Sequence, residues 1–242
     1  MAKIFITGSS DGLGLLAAKM LMEQGHEVIL HARNTERAKD AKMLLPEAKC
    51  VLIADLSDME ETKQLAEELN ALGPCDAIIH NAGVYQADRP TIFAVNVLAP
   101  YILTAMITRP QRLIYIGSNM HPQGSVVTNA LSLETGVSYS DSKLQVLTLA
   151  KAVARKWPGI YVNTVDPGWV PTKMGGSAAR DDLDEGAGTQ VWLASSEDAL
   201  CSGRYLFHRR EVPYDSRADD EDLQEQLIAR CEEISGIKLP AY

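Results

Sequence analysis

Short apolar runs alternate with longer amphipathic stretches along the first two thirds of the chain. Residues 3–7 (KIFIT), 27–31 (EVILH), 50–54 (CVLIA), 76–80 (DAIIH) and 112–117 (RLIYIG) are rich in Ile, Leu and Val. Their near-continuous apolar character predicts strands buried on both faces, hence a parallel sheet. Between them, helical periodicity covers 13–24, 36–44, 58–71 and 92–107. Strand–helix alternation at this spacing predicts a doubly wound α/β architecture with helices on both faces. Residues 118–138 are polar and irregular, and no element is predicted there. A long helix is predicted over 139–157, stopped by Pro158-Gly159. A sixth strand follows over 160–165, a helix near 184–194, a seventh strand over 204–207, and an acidic helical tail over 218–234. No linker, repeat or low-complexity tract interrupts the chain. Residues 1–242 therefore read as one domain around a seven-stranded parallel sheet, with a C-terminal helical appendage over about 209–242.

Composition narrows the functional class. With 242 residues, 46% hydrophobic and 23% charged, the chain is of ordinary globular make-up. A disordered chain, a collagen-like fibre and a coiled coil are excluded. No apolar run approaches the roughly 18 residues of a membrane span, and the N-terminus lacks the apolar segment of a secretory signal. A cytoplasmic protein is expected. The net charge of −9 repels nucleic acid and anionic membrane, so a small molecule is the expected partner. Cys50, Cys75, Cys201 and Cys231 form no CxxC pair and read as reduced thiols. The five histidines show no metal-ligand spacing, so no metal site is expected.

The first strand runs into Thr7-Gly8-Ser9-Ser10-Asp11-Gly12-Leu13-Gly14, and a helix follows. Glycine permits a tight turn, lets backbone N–H groups approach a pyrophosphate and allows close helix–strand packing. The helix N-terminus adds oriented amides and partial positive charge. A glycine cluster can be a plain turn, but between a first strand and a first helix it predicts dinucleotide binding and a Rossmann fold. The second strand ends His31-Ala32-Arg33-Asn34, with no carboxylate to hold the ribose hydroxyls of NAD. Arg33 is suited to a 2′-phosphate and to stacking on adenine, which favours NADP(H) over NAD(H). The alternative is a solvated arginine opening the second helix.

Tyr139 and Lys143 are four residues apart and share a helix face. An ammonium beside a phenol favours the phenolate, so Lys143 is expected to lower the Tyr139 pKa into the range useful for proton transfer. Alone, this pair is common on helix surfaces. It gains meaning from its neighbours, because the chain resembles the short-chain dehydrogenase/reductase family over almost its whole length. The matching motifs are Thr7-Gly8-xxx-Gly12-x-Gly14, Asp55-Leu56, Asn81-Ala82-Gly83, Asn96, Ser118, Tyr139-xxx-Lys143 and Asp166-Pro167-Gly168.

The resemblance implies a catalytic set of Asn96, Ser118, Tyr139 and Lys143. Tyr139 would donate and accept the proton. Lys143 would lower its pKa and bind the nicotinamide ribose. Ser118 would hold the substrate oxygen, and Asn96 would place a water in the proton relay. The cofactor would lie on Gly8, Ser9, Ser10, Gly12, Leu13 and Gly14, with Arg33 and Asn34 at the adenosine end. Asp55 and Leu56 would border adenine. Asn81 would lie beside the adenosine ribose with Ala82 next to it at the cofactor, and Gly83 would belong to the turn after the fourth strand, although Asn81-Ala82-Gly83 also reads as a stabiliser of the sheet. Pro167, Gly168, Val170 and Thr172 would wall the nicotinamide. The interval from Ser118 to Tyr139 is longer than the family's usual one, and the excess lies in 120–137. That lengthening and the tail pattern resemble the retinol-dehydrogenase branch. Ser138 and Ser140 compete with Ser118 but adjoin Tyr139 on the helix.

The expected reaction is hydride transfer between a nicotinamide and a carbonyl or carbinol carbon. Tyr85, Met120, His121, Trp169, Val170 and Met174 would line an apolar substrate site, with 173–182 as a lid or a plain loop. The alternatives are a non-catalytic NADP(H) redox sensor and, against the short C-terminal part, a sugar-nucleotide epimerase or dehydratase. Monomer and homo-oligomer both stay open.

Overall fold

The structure is a computed structural model and describes residues 1–125 and 131–241. Eight strands form one sheet: β1 (Lys3–Ile6), β2 (Glu27–Ala32), β3 (Cys50–Ile53), β4 (Ala77–His80), β5 (Arg112–Ile116), β6 (Tyr161–Asp166), β7 (Tyr205–Phe207) and β8 (Arg210–Glu211). Their order is β3-β2-β1-β4-β5-β6-β7-β8. Pairing is parallel throughout except at β7–β8. The helices are α1 (Gly12–Glu23), α2 (Thr35–Leu44), α3 (Met59–Ala71), α4 (Arg89–Phe93), α5 (Ala99–Met106), α6 (Tyr139–Lys156), α7 (Leu183–Ser195) and α8 (Glu221–Ser235). The fold is the doubly wound α/β fold read in the sequence.

Side-chain alternation along the strands feeds two cores. Phe5, Ile29, Ile78, Leu113 and Tyr115 pack on the face that carries α3, α5 and α6. Ile4, Ile6, Val28, Leu30, Ile79 and Ile114 pack on the face of α1 and α7. Strand order reverses between β1 and β4, so the loops leaving their carboxyl ends diverge and open a crevice there. Side-chain caps start the helices: Asp11 for α1, Asn34 for α2, Asp58 for α3 and Asp182 for α7. Ser138 and Asp141 form a reciprocal capping box that fixes the first turn of α6.

Two features depart from the sequence expectation. The helix read over 92–107 is α4, one π-helical turn (Ala94–Leu98) and α5 in succession. The sheet has an eighth, antiparallel strand, reached through His208 and Arg209 at φ 48° and 60°. Such a two-residue turn ordinarily advertises itself with Asn or Gly, and this one does not. The helical tail packs closely: α8 lies along α6, and Leu227, Ile228, Cys231 and Leu239 join the core beside Trp157 and Tyr101. Residues 126–130, within the lengthened Ser118–Tyr139 interval, lie outside the described residues.

Two buried histidines make the fold acid-sensitive. Burial pushes His31 down to about 4 and His80 down to about 3. Both rings stay neutral in the fold, whereas the unfolded chain takes up protons near pH 6.5. Stability is therefore full above that pH and falls below it, by about 3 kcal/mol for the pair between pH 6.5 and 5. Urea unfolding at stepped pH measures this, and an unfolding free energy that stays flat over the interval contradicts it.

Candidate active site

The glycine turn is held from three sides. Thr7 donates its N–H to Ile79 O (3.0 Å) and accepts the Ala82 N–H at its hydroxyl (3.0 Å). Asn81 donates its amide to Thr7 O (3.0 Å) and Gly8 O (3.2 Å). Gly8 sits at φ +62°, and a Cβ there would stand 2.9 Å from Ala82 Cα. At Gly14 a Cβ would meet Asn81 Nδ2 at 2.4 Å and Gly8 O at 2.6 Å. Asn81 is thus the tie that makes Gly14 obligatory.

His31 is a site residue that sequence reasoning missed. Its Nδ1 accepts the Gly8 N–H (2.9 Å), so its Nε2 carries the proton and donates to Ala54 O (3.0 Å). One ring pins the glycine turn to the ends of β2 and β3. The available signal was a histidine inside an otherwise apolar buried strand. Ser9 is fully buried, donating its hydroxyl to Ile6 O (2.8 Å) and accepting from His31 N (2.9 Å). Ser10 and Leu13 are half-buried at the turn.

The adenosine end of the crevice is polar. Arg33 and Asn34 are exposed beyond β2, and Asn34 accepts the Arg37 N–H (3.0 Å). Asp11 accepts the Gly12 N–H (2.8 Å) and pairs with Arg37 (3.1 Å) and with Lys173. These donors hold its carboxyl below the usual carboxylate range despite partial burial. Asp55 accepts the Ser57 N–H (2.9 Å) and hydroxyl (2.7 Å), while Leu56 is buried in the core.

At the other end, β5 delivers Ser118 and the capping box of α6 delivers Tyr139. The Ser118 hydroxyl stands beside the Tyr139 phenol and works against the rise in its pKa. Lys143, 5% exposed, donates to Ile116 O (2.8 Å) and places its Nζ 5.4 Å from the centre of the Tyr139 ring. The Tyr85 ring meets that ring edge-on at 4.8 Å. Asn96 lies on the π-helical turn, a distortion that recurs at functional sites. Its Oδ1 accepts the Val84 N–H (2.8 Å), and its Nδ2 donates to Val84 O (3.0 Å) and Ser142 Oγ (3.0 Å). A Cβ on Gly83 would stand 3.4 Å from Asn96 Oδ1 and 3.6 Å from Lys143 Nζ, so the two side chains converge on that glycine.

The electrostatics differ from the sequence expectation of a lowered phenol pKa. Burial pushes Tyr139 up to about 12, opposed by the Ser118 hydroxyl and reinforced by Asp166. Burial also pushes Lys143 down to about 8, against the attraction of Asp166. Desolvation dominates both groups, because both are taken out of water together. Asp166 is itself buried and raised by that burial, accepting the Gly168 N–H (3.0 Å).

The segment after β6 closes over the glycine turn. A Cβ at Gly12 would touch the Thr172 methyl at 3.5 Å, and Val170 is buried against Gly186. Pro167 and Gly168 lie half-buried at its start. Trp169 donates its indole N–H to Gly175 O (2.9 Å), and its carbonyl accepts from Asp181 N (3.0 Å). Tyr85, Trp169 and Met174 remain exposed around the mouth, whereas His121 is buried with both ring nitrogens committed to the backbone.

A profile of the family described as short chain dehydrogenase matches residues 2–183. A short-chain dehydrogenase of Penicillium rubens (chyC) is 44% identical over 258 residues, covering 100% of both chains. The chain belongs to the short-chain dehydrogenase family. Retinol dehydrogenase 14 of Mus musculus is a more distant short-chain relative, 27% identical over 286 residues, with 97% of this chain and 86% of that one covered. The solved structure of a blue fluorescent protein from a metagenomic library, in complex with NADPH, has a TM-score of 0.73 to this short-chain dehydrogenase. It is 22% identical, over 85% of this chain and 95% of that one.

Short-chain dehydrogenases bind a nicotinamide dinucleotide, and the cradle here fits one. A side chain at Gly12 would fill the gap between the turn and Thr172, and the amides of the first turn of α1 lie beside that gap. No helix among the described residues is long and apolar enough to cross a membrane.

Proposed function

We propose that the chain is an NADP(H)-dependent reductase that interconverts an apolar ketone or aldehyde with its alcohol. The observation that carries this reading is the Tyr139 phenol beside Ser118, with Lys143 over its ring, at the strand ends beside the glycine turn. When bound, the dinucleotide supplies or accepts the hydride at the substrate carbon. Ser118 holds the substrate oxygen, and the Tyr139 phenol gives that oxygen its proton as the carbonyl is reduced. Lys143 keeps positive charge beneath the phenol and binds the nicotinamide ribose. Asn96, locked to Val84 and Ser142, orients a water behind Lys143. The glycine turn and Asn81 seat the pyrophosphate, and Pro167, Gly168, Val170 and Thr172 wall the nicotinamide. The exposed aromatic and apolar rim of Tyr85, Trp169 and Met174 favours an apolar substrate. All four cysteines are free thiols, which fits a reducing cytoplasm.

The preference for NADP(H) rests on Arg33. It stands exposed where an NAD site keeps a carboxylate, while Arg37 is engaged by Asp11. The NADPH complex of the structural relative is consistent with this choice. Arg33→Ala is expected to weaken NADPH binding about tenfold or more, as loss of a charge-assisted phosphate contact does, and to leave NADH binding nearly unchanged. Titrating both cofactors against wild type and variant measures it, and equal losses refute the role. The activity itself is tested by NADPH depletion across ketones, quinones and retinoid-like aldehydes. Binding of NADPH with no turnover of any carbonyl would leave a sensor rather than a reductase.

A further inference from the structure

The turn that bears Ser118 is fixed from behind by a buried histidine. His121 lies on a short 3₁₀ turn (His121–Gln123) and is 2% exposed. Its Nδ1 is 2.7 Å from Ser118 O, and its own N–H donates to the same carbonyl (3.1 Å). Met120 N donates to Ser118 Oγ (3.2 Å), so the turn wraps its own serine. On the far side, His121 Nε2 accepts the Asp215 N–H (3.0 Å). A backbone N–H only donates and a carbonyl only accepts, so the ring is the neutral tautomer with its proton on Nδ1. Two hydrogen bonds therefore connect the chain at 215 to the carbonyl of Ser118.

That far anchor is itself rigid. Asp215 accepts from Arg217 through N–H and guanidinium, and Arg217 donates to Pro122 O (3.2 Å), bracing the turn a second time. Ala218 packs with Leu144, Leu147 and Tyr205, on α6 and β7. The Tyr205 ring lies 4.9 Å from the imidazole and brings its hydroxyl toward Asp166 and the Ser118 backbone. The ring of His121 is thus sandwiched between the catalytic turn, β7 and the segment 212–219.

We propose that His121 is a positioning residue: it fastens the Ser118 turn to the segment 212–219 and so sets the serine hydroxyl against the Tyr139 phenol. This rests on the reading of Ser118 as the ligand of the substrate oxygen. Oxygen ligands must stay within a fraction of an ångström of the reacting geometry, and a shift of about 1 Å can cost about a hundredfold in rate. A strut that touches the carbonyl of the serine, and no substrate, acts on kcat rather than on cofactor affinity.

The experiment compares His121→Asn, which keeps a donor at the Nδ1 position, with His121→Gln, which keeps only an acceptor at the Nε2 position. Each variant breaks one of the ring's two hydrogen bonds, so both are expected to lower kcat, His121→Gln about tenfold or more and His121→Asn by several-fold, with NADPH affinity unchanged. A second pair reads the far bond. Asp215 has φ −72°, which proline adopts, so Asp215→Pro removes the N–H donor while Asp215→Ala keeps it. Asp215→Pro is expected to fall below Asp215→Ala in kcat by several-fold. Imidazole ¹⁵N NMR of the wild-type protein is expected to show the proton on Nδ1. Wild-type kcat in His121→Gln, equal kcat in the two Asp215 variants, or a proton on Nε2 would each overturn the proposal. Ser118→Ala, measured alongside, separates the failures. If it loses activity while His121→Gln does not, only the positioning role falls; if it keeps full activity, the catalytic reading of Ser118 falls first.

Discussion

Tyr139→Phe is expected to lower the rate of carbonyl reduction by about 10²–10⁴, the usual worth of a placed general acid. The substitution is clean. Phenylalanine keeps the ring that meets Tyr85 edge-on and lies below Lys143, and removes only the hydroxyl beside Ser118. NADPH affinity should therefore stay close to wild type, which separates lost chemistry from lost binding. The pH dependence follows from the two buried groups. With Tyr139 pushed up to about 12, the phenol holds its proton across the neutral range and is ready to donate in reduction. Lys143, pushed down to about 8, carries its charge below that pH and loses it above. Reduction is thus expected to hold through neutrality and decline as pH rises through about 8. Oxidation needs the phenolate and is expected to gain with rising pH. Single-turnover rates in both directions over this range measure it; a Tyr139→Phe enzyme with undiminished reductase activity ends the proposed mechanism.

Gly14→Ala is expected to damage both the fold and the cofactor site. The added Cβ would stand 2.4 Å from Asn81 Nδ2 and 2.6 Å from Gly8 O. Neither atom is the free end of a flexible chain: Asn81 is tied to Thr7 and Gly8, and Gly8 is tied to His31. Relief requires breaking the Asn81 bridge or moving the glycine turn. Overpacking of this kind costs about 3 kcal/mol, which for a chain of this size lowers Tm by roughly 6–12 °C. In the proposed function the backbone amides of this turn hold the pyrophosphate, so its displacement should also weaken NADPH binding at least tenfold. Gly188→Ala is the control. It lies in α7, where the nearest neighbour of a Cβ is Arg209 Nη2 at 3.6 Å, and helix propensity favours alanine. Calorimetry with a cofactor titration distinguishes the two, and equal behaviour of both variants refutes the steric account.

The strands and most helices were legible because their signal is local: apolar runs for β1–β7, and amphipathic periodicity for the helices. The π-helical turn was not, because one extra residue within five leaves the 3.6-residue pattern of 92–107 nearly unchanged. The β7–β8 turn was not, because His208 and Arg209 carry none of the usual turn chemistry. Tyr139, Lys143, Ser118 and Asn96 gather around one another as their motifs implied. The supports behind them were hidden by distance along the chain. His121 read as a wall of the substrate site, yet its partner Asp215 is 94 positions away. The lowered phenol pKa was misjudged because a pair of charges on a helix says nothing of how much water the fold will take from them.

The last described residues close on the body of the protein through carbonyls. Ile237 O accepts from Tyr101, Pro240 O from the Trp157 indole, and Ala241 O from Arg109. Those three donors sit at the base of the helical layer that carries Tyr139 and Lys143. Loss of 237–241 would therefore act as an internal lesion, leaving the Trp157 indole and the Tyr101 phenol without acceptors.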